Sequence, residues 1–258
     1  MKIEVGPAGT GGGGEQGFID IKNQGLEAVE VAFTYGVWMK PEQARKIAEL
    51  NKKLKLKISI HAPYYINLNS KEKAKIEASK KRILKCCEIG DLLGAKEIVF
   101  HPGFYQKMDK EETYQNIKKQ IQALQKTIKE KKYNVELCPE TTGKESQFGS
   151  LKELLRLKKE TKCSITIDFS HLKARSIGKL SYTEAVNKIK SLRNIHAHFS
   201  GIEWTDKGEK RHLPLELKDV KELLQALKKN NVSAKIINEG PDTIKDALLI
   251  KNTWNKIK

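Results

Sequence analysis

The 258-residue chain carries 49 Lys and Arg against 32 Asp and Glu, a formal net charge of +17, with 38% hydrophobic residues. A chain this long buries a large core without disulfide or metal staples, and it contains no run of the ~18 apolar residues that a membrane span requires. The charge favours polyanionic partners, because neutralising phosphates releases counterions. Much of the excess nevertheless lies on Lys-rich helix faces, Lys110 to Lys132 and Lys218 to Lys229, which solvation alone would explain.

Strand-like runs alternate with helix-like runs along the chain. Ile3 to Val5 is short and apolar. The low-complexity stretch Gly9 to Gly17 lacks the Lys and Ser or Thr of a Walker loop and reads as a mobile first βα loop. A helix-like Phe18 to Gln24 leads to a second strand, Val29 to Phe33. Pro41 opens a helix over Pro41 to Leu54, where its missing N–H costs nothing. Lys57 to His61 is the third strand, and Ser70 is placed to cap a helix beginning at Lys71. Glu97 to His101 is the fourth. Asp109 with Glu111 and Glu112 suits the positive end of a helix dipole. Val135 to Glu140 and Ser164 to Asp168 follow, with capping boxes at Ser150–Glu153 and Ser181–Glu184. Asn194 to Phe199 and Lys235 to Glu239 complete eight strands. The alternation predicts a parallel α/β sheet. Eight such units in a chain near the typical ~250 residues predict a single-domain (β/α)₈ TIM barrel over 1–258 rather than an open doubly wound sheet.

The four cysteines, Cys86, Cys87, Cys138 and Cys163, form no C-x-x-C pair and suit a reducing compartment. The start MKIEVG has no apolar signal core. A soluble cytoplasmic protein is expected.

The chemistry lies at the strand ends. His61 ends the third strand (SIHAPYY), His101 the fourth (VFHPG) and Glu140 the fifth (ELCPETT). Asp168 and His171 follow the sixth (TIDFSH), His196 and His198 lie in the seventh (HAHFSG), and Glu239 closes the eighth (IINEGP). His212 lies in the loop after the seventh. All six histidines of the chain fall at or just past predicted strand ends. In a barrel these strands deliver their side chains to one face, the carboxyl face where barrel active sites lie. Imidazole with carboxylate suits Zn²⁺, with Mn²⁺ or Fe²⁺ as competitors. The donors are too many for one tetrahedral ion, so two or three metals are expected. Such clusters suit phosphate ester hydrolysis, with Glu140, central among the strands, as a bridging carboxylate.

The motifs HAPYYINL, HPG, PETT, DFSH, HFSG, RH and NEGP, in this order from about Phe33 to Pro241, resemble those of the endonuclease IV family of apurinic/apyrimidinic endonucleases. The resemblance implies a trinuclear zinc cluster and cleavage of duplex DNA 5′ to an abasic site, leaving a 3′-hydroxyl and a 5′-deoxyribose phosphate. Carried over by motif, His61 and His101 hold one metal and Glu140, the catalytic bridge, joins it to a second. Asp168, His198 and Glu239 complete the second site, and His171 and His212 belong to a third. His196 is left over, packed in the barrel or supporting a ligand. The family's third site takes an Asp two residues before its last His, where this chain has Lys210, Arg211 and His212. The third metal is therefore in question, with Glu209 or Asp206 as substitutes and Lys210 as a cation beside the scissile phosphate.

The family also places a DNA-probing Arg before a Trp. Here FTYGVW keeps Trp38 but offers Val37, which leaves Tyr35 to take part of that role. Tyr64 and Tyr65 match the aromatic and apolar residues that enter the minor groove, where wedging costs a few kcal/mol of unstacking. An abasic nucleotide is easily extruded. Arg211 and Lys210 join these as DNA-contacting residues, and a monomer is implied. The rival expectation is a xylose-isomerase-like sugar isomerase or epimerase, with one metal on Glu140, Asp168, His198 and Glu239. It leaves His61, His101 and the basic charge unexplained. A third possibility is a DNA-binding barrel that has lost turnover through Lys210.

Overall fold

In the computed structural model, residues 1–11 and 13–257 are described. The strands, in chain order, are β1 (Ile3–Pro7), β2 (Ala28–Ala32), β3 (Lys57–His61), β4 (Glu97–Phe100), β5 (Gly103–Phe104), β6 (Glu136–Pro139), β7 (Gln147–Phe148), β8 (Thr166–Asp168), β9 (Asn194–Phe199), β10 (Gly201–Thr205), β11 (Gly208–Leu213) and β12 (Ser233–Asn238). The helices are α1 (Gly14–Asn23), α2 (Pro41–Leu54), α3 (Lys73–Leu93), α4 (Lys110–Glu130), α5 (Leu151–Thr161), α6 (Phe169–Arg175), α7 (Tyr182–Ile189), α8 (Leu217–Lys229) and α9 (Thr243–Ile257).

Two parallel four-stranded arcs, β2-β3-β4-β6 and β1-β12-β9-β8, form the barrel wall. Single parallel bridges, Ala8 to Glu30 and Glu140 to Thr166, join the arcs and close the ring. All eight expected strands are present, and each is followed by a helix before the next barrel strand. The chain is therefore an α/β TIM barrel. The remaining strands form small antiparallel pairs beyond the carboxyl ends, β5 with β7 across α4 and β6, and β10 with β11 as a hairpin.

Capping chemistry sets several helix starts. Asp109 accepts from the amides of Glu111 (2.8 Å) and Glu112 (3.1 Å) at the start of α4. Ser150–Glu153 and Ser181–Glu184 form reciprocal capping boxes, satisfying amides that the first helical turn leaves free. Pro41 sits at the start of α2.

Two expectations need correction. The helix expected from Lys71 begins at Lys73, because the Ser70 hydroxyl accepts from Glu72 N (3.2 Å) in a short turn and is used before the helix starts. The Gly9 to Gly17 stretch is not all loop, since α1 already begins at Gly14; Gly12 lies outside the described residues. Gly17 is needed for contact: a Cβ there would sit 2.0 Å from the Thr10 carbonyl oxygen.

Outside the barrel, the apolar residues of the strands and helices form one buried core, including Val29, Val31, Ile47, Ile60, Ile98 and Leu224. The lumen is different. Between β2, β3 and β9 it holds Glu30, Ser59 and His196, all buried, with Ser59 and His196 both contacting Glu30. All four cysteines are buried and free. Among the described residues no helix is long and apolar enough to cross a membrane.

Candidate metal centre

Glu140 sits at the carboxyl end of β6 with no exposure, and its two oxygens face different partners. Oε2 lies 3.1 Å from His61 Nε2 and 3.2 Å from His101 Nε2. Oε1 lies 3.3 Å from His198 Nδ1 and 3.2 Å from His171 Nδ1. One carboxylate thus spans two potential ion positions, the geometry of a bridge. His61, His101 and Glu140 form one donor group, and Glu140, Asp168, His198 and Glu239 a second, with ligand atoms within 4.8 Å of one another in each.

A third group consists of His171, Glu209 and His212. Glu209 Oε2 lies 3.5 Å from His171 Nε2, and Oε1 lies 3.8 Å from His212 Nε2. The local fold explains why Glu209 arrives here. In the β10–β11 hairpin Glu203 pairs with Arg211 and Trp204 with Glu209, so Lys210 has no opposite residue. This is a β-bulge, which shifts the alternation of side chains by one. Glu209 therefore shares a face with His212, three residues on. Gly143 makes room for it: a Cβ at Gly143 would lie 2.6 Å from both Cβ and Oε2 of Glu209. The Glu209 amide donates to the Gly143 carbonyl at 3.0 Å. Asp206, the other candidate, is exposed at the hairpin tip and joins no donor group.

The donors fit a metal. Nδ1 of His61 donates to the Ala62 carbonyl (2.8 Å), Nδ1 of His171 to that of Thr141 (2.9 Å) and Nδ1 of His212 to that of Glu239 (3.0 Å). A carbonyl only accepts, so each of these Nδ1 atoms carries a hydrogen, and Nε2 is the nitrogen left to bind a cation, which would displace any proton shared with a neighbouring carboxylate. Asp168 Oδ2 is buried without a hydrogen bond. It lies 3.2 Å from His171 Nδ1, but that N–H is directed to Thr141. An orphaned carboxylate oxygen among imidazoles is a group that a cation would satisfy.

Electrostatics agree. Burial alone would raise the Glu140 carboxyl, yet the neighbouring His101 and His198 charges outweigh it and hold it well below the usual range. Burial would lower His61, but its hydrogen bond and charge interaction with Glu140 push it up to about 9. For Glu209, burial is opposed by its hydrogen bond to His171 and the nearby imidazoles, which hold it down to about 2.

Above these groups opens a cavity of about 460 Å³, lined among others by Thr34, Tyr64, Phe104, Lys144 and Thr243. Tyr64 packs edge-on to His61, with centroids 6.0 Å apart. It is 60% exposed, and Tyr65 (61%) and Tyr35 (81%), in the loops that follow β3 and β2, are exposed as well. Trp38 is anchored instead, its Nε1 donating to the Ala32 carbonyl at 3.1 Å. Lys210 and Arg211 do not line the cavity. Lys210 Nζ and Arg211 Nε each contact Glu203 at 2.6 Å, on the exposed side of the hairpin. The expected place of Lys210 beside the reacting phosphate is therefore corrected, since the bulge turns it away. Lys144 is the cation that lines the mouth.

All eight expected ligands converge; Glu209 was expected only as one of two substitutes, while Lys144, Phe104 and Glu30 escaped the sequence reading. Glu30 had a signal, a charge in the apolar run VEVAF. His196, the leftover histidine, contacts it at 3.1 Å inside the barrel. Another cavity, about 520 Å³, opens at the opposite mouth among Lys57, Lys96 and Glu136.

The profile of a family described as xylose isomerase-like TIM barrel matches residues 18–253. An uncharacterized protein of Methanocaldococcus jannaschii is 39% identical over 249 residues, covering 92% of this chain and 90% of its own. A probable endonuclease 4 of Mesomycoplasma hyopneumoniae is 33% identical over 144 residues, which cover 54% of this chain and 50% of its own. Among solved structures, endonuclease IV from Thermus thermophilus superposes with a TM-score of 0.73 at 18% identity, covering 100% of both chains. A D-tagatose 3-epimerase-like protein superposes with a TM-score of 0.71 at 20% identity, covering 99% of this chain and 96% of its own. At these identities the two structures establish the fold and leave the reaction open.

Proposed function

The chain belongs to the xylose isomerase-like TIM barrel family, and within it we propose that the protein is a zinc-dependent endonuclease that hydrolyses the phosphodiester 5′ to abasic sites in duplex DNA, leaving a 3′-hydroxyl. The observation that carries this reading is the number of donor groups. A sugar epimerase needs Glu140, Asp168, His198 and Glu239 for its metal. It leaves His61, His101 and the His171–Glu209–His212 group without a task. Two groups that share Glu140, with a third adjoining through His171, suit a phosphoryl centre, where several charges must be offset at once.

Divalent ions held there would acidify a water and neutralise charge building on the phosphate. Three of the ligands are imidazoles that offer Nε2 to a cation, which favours Zn²⁺, and Mn²⁺ or Fe²⁺ remain compatible with the carboxylates. The protein's own groups supply the rest. Glu140 fixes the spacing of the first two positions. The exposed Tyr35, Tyr64 and Tyr65 would offer stacking faces to bases flanking the lesion, and Lys144, which lines the cavity, would offer a cation to an entering backbone phosphate.

The test uses protein stripped by chelator and reloaded with Zn²⁺, given a duplex with one central abasic site. Nicking with a polymerase-extendable 3′ end is expected, and E140Q should lower the rate at least ~10²-fold while still binding the duplex. Intact duplex together with interconversion of a ketose and its C3 epimer would overturn the reading in favour of the epimerase.

A further inference from the structure

Glu30 is a fully buried carboxylate in the barrel lumen, below the three donor groups and unused by them. Its Oε2 accepts from the Ser59 hydroxyl at 2.8 Å and faces His196 Nε2 at 3.1 Å. Its Oε1 lies 2.9 Å from His198 Nε2. The two atoms are in ion-pair contact without hydrogen-bond geometry, and neither has a hydrogen-bond partner.

His198 is turned around relative to its neighbours. His61, His171 and His212 each direct Nδ1 to a backbone carbonyl and keep Nε2 for the centre. His198 presents Nδ1 to Glu140 Oε1 (3.3 Å) and Glu239 Oε2 (3.4 Å), and its Nε2 points to Glu30. Both nitrogens thus face carboxylates, which only accept; a cation held by Nδ1, Glu140 and Glu239 would need the Nδ1 lone pair, and the ring hydrogen would then sit on Nε2, facing Glu30.

We propose that Glu30 is a positioning residue that holds His198 as the Nε2–H tautomer, oriented so that Nδ1 ligates the second metal. A merely structural cluster does not account for a charge here. Ser59 and His196 could both be satisfied by a neutral acceptor, whereas burying a carboxylate carries a much larger desolvation cost unless it is matched by hydrogen bonds and nearby charge. A metal-ligating histidine whose other nitrogen meets a carboxylate gives a reason for that charge, because the pairing fixes the ring and raises its basicity as a ligand. Glu30, His196 and His198 also have donor atoms within 4.8 Å of one another, so a separate ion there is the competing assignment. The Ser59 hydroxyl on Oε2 favours the hydrogen-bonded one. The inference concerns metal binding by His198 and holds whether the substrate is DNA or a sugar.

The experiment titrates Co²⁺ into the full chain against a competing chelator, for wild type, E30Q and E30A, well below their melting temperatures. In parallel, long-range ¹H–¹⁵N spectra of ¹⁵N-histidine-labelled, zinc-loaded protein read the His198 tautomer. Wild type should show His198 protonated at Nε2. E30A should weaken one Co²⁺ equivalent by roughly 10–100-fold and leave the others unchanged, with E30Q, which keeps an acceptor, falling between. If E30A does not fold, E30Q decides on the same readouts. Wild-type affinity for every equivalent in the folded variants would overturn the role and leave Glu30 structural. So would an additional Co²⁺ equivalent lost with Glu30, which would make it a ligand.

Discussion

Glu209 enters the third donor group because Lys210 is the extra residue of a bulge, so the candidate donor sits three residues before His212 rather than two. E209A is therefore expected to lower tightly bound zinc by one equivalent per chain, read by elemental analysis after gel filtration. K210D should add nothing, because the Lys210 side chain faces Glu203; a gain of zinc in K210D would show that the bulge does not fix the ligand. The cations divide in the same way. Lys144 lines the mouth, while Lys210 is ion-paired outside it. K144M should reduce the salt slope of binding to a duplex with a stable abasic analogue by about 0.9, with K210M changing it much less. Equal slopes for wild type and K144M would remove Lys144 from the phosphate path. The ligands readable in the sequence were those at strand ends, where position alone implies the carboxyl face. Glu209 was named only as a substitute, since a bulge has no signature in KGEKRH, and Lys144 is one lysine among many until the cavity is seen.

At the scale of elements, the eight barrel strands were legible from their apolar runs and turn residues. The pairs β5–β7 and β10–β11 were not. Strands of two residues carry no periodicity, and β11 reads as a charged loop. The helix packing that frames the site involves Arg156 of α5, which contacts Glu111 of α4 at 2.6 Å and Glu160 at 2.9 Å, and lies over the Tyr114 ring at 3.8 Å. Hydrogen bonds from Arg156 hold Glu111 down to about 2, and those from Lys118 and Arg156 do the same for Glu160. A carboxyl lowered on folding contributes stability above its ordinary range, and that contribution is lost as pH falls from about 4.5 through about 2. R156M should therefore lower the urea midpoint more at pH 6 than near pH 2. A deficit equal at both pH values would assign the effect to lost packing on Tyr114 alone.

For the whole molecule, the barrel is closed by single bridges at Ala8–Glu30 and Glu140–Thr166. Two residues that join the arcs are thus also the bridging carboxylate and the carboxylate behind His198, so barrel closure and the centre depend on each other. The fold was readable because strand and helix alternate over the whole length. The reaction was less so, since one fold hosts both DNA and sugar chemistry, and the +17 charge carries weight only once a mouth lined by Lys144 and the exposed Tyr64 is in view. The central claim is that this mouth holds a cluster of ions rather than one. Metal content of the zinc-loaded chain, measured after removal of free ion, tests it most directly. Three equivalents per chain are expected, falling when His61 or Glu209 is replaced. One equivalent, lost in D168N and indifferent to H61A and E209A, would contradict the account and leave a single-metal sugar enzyme in its place.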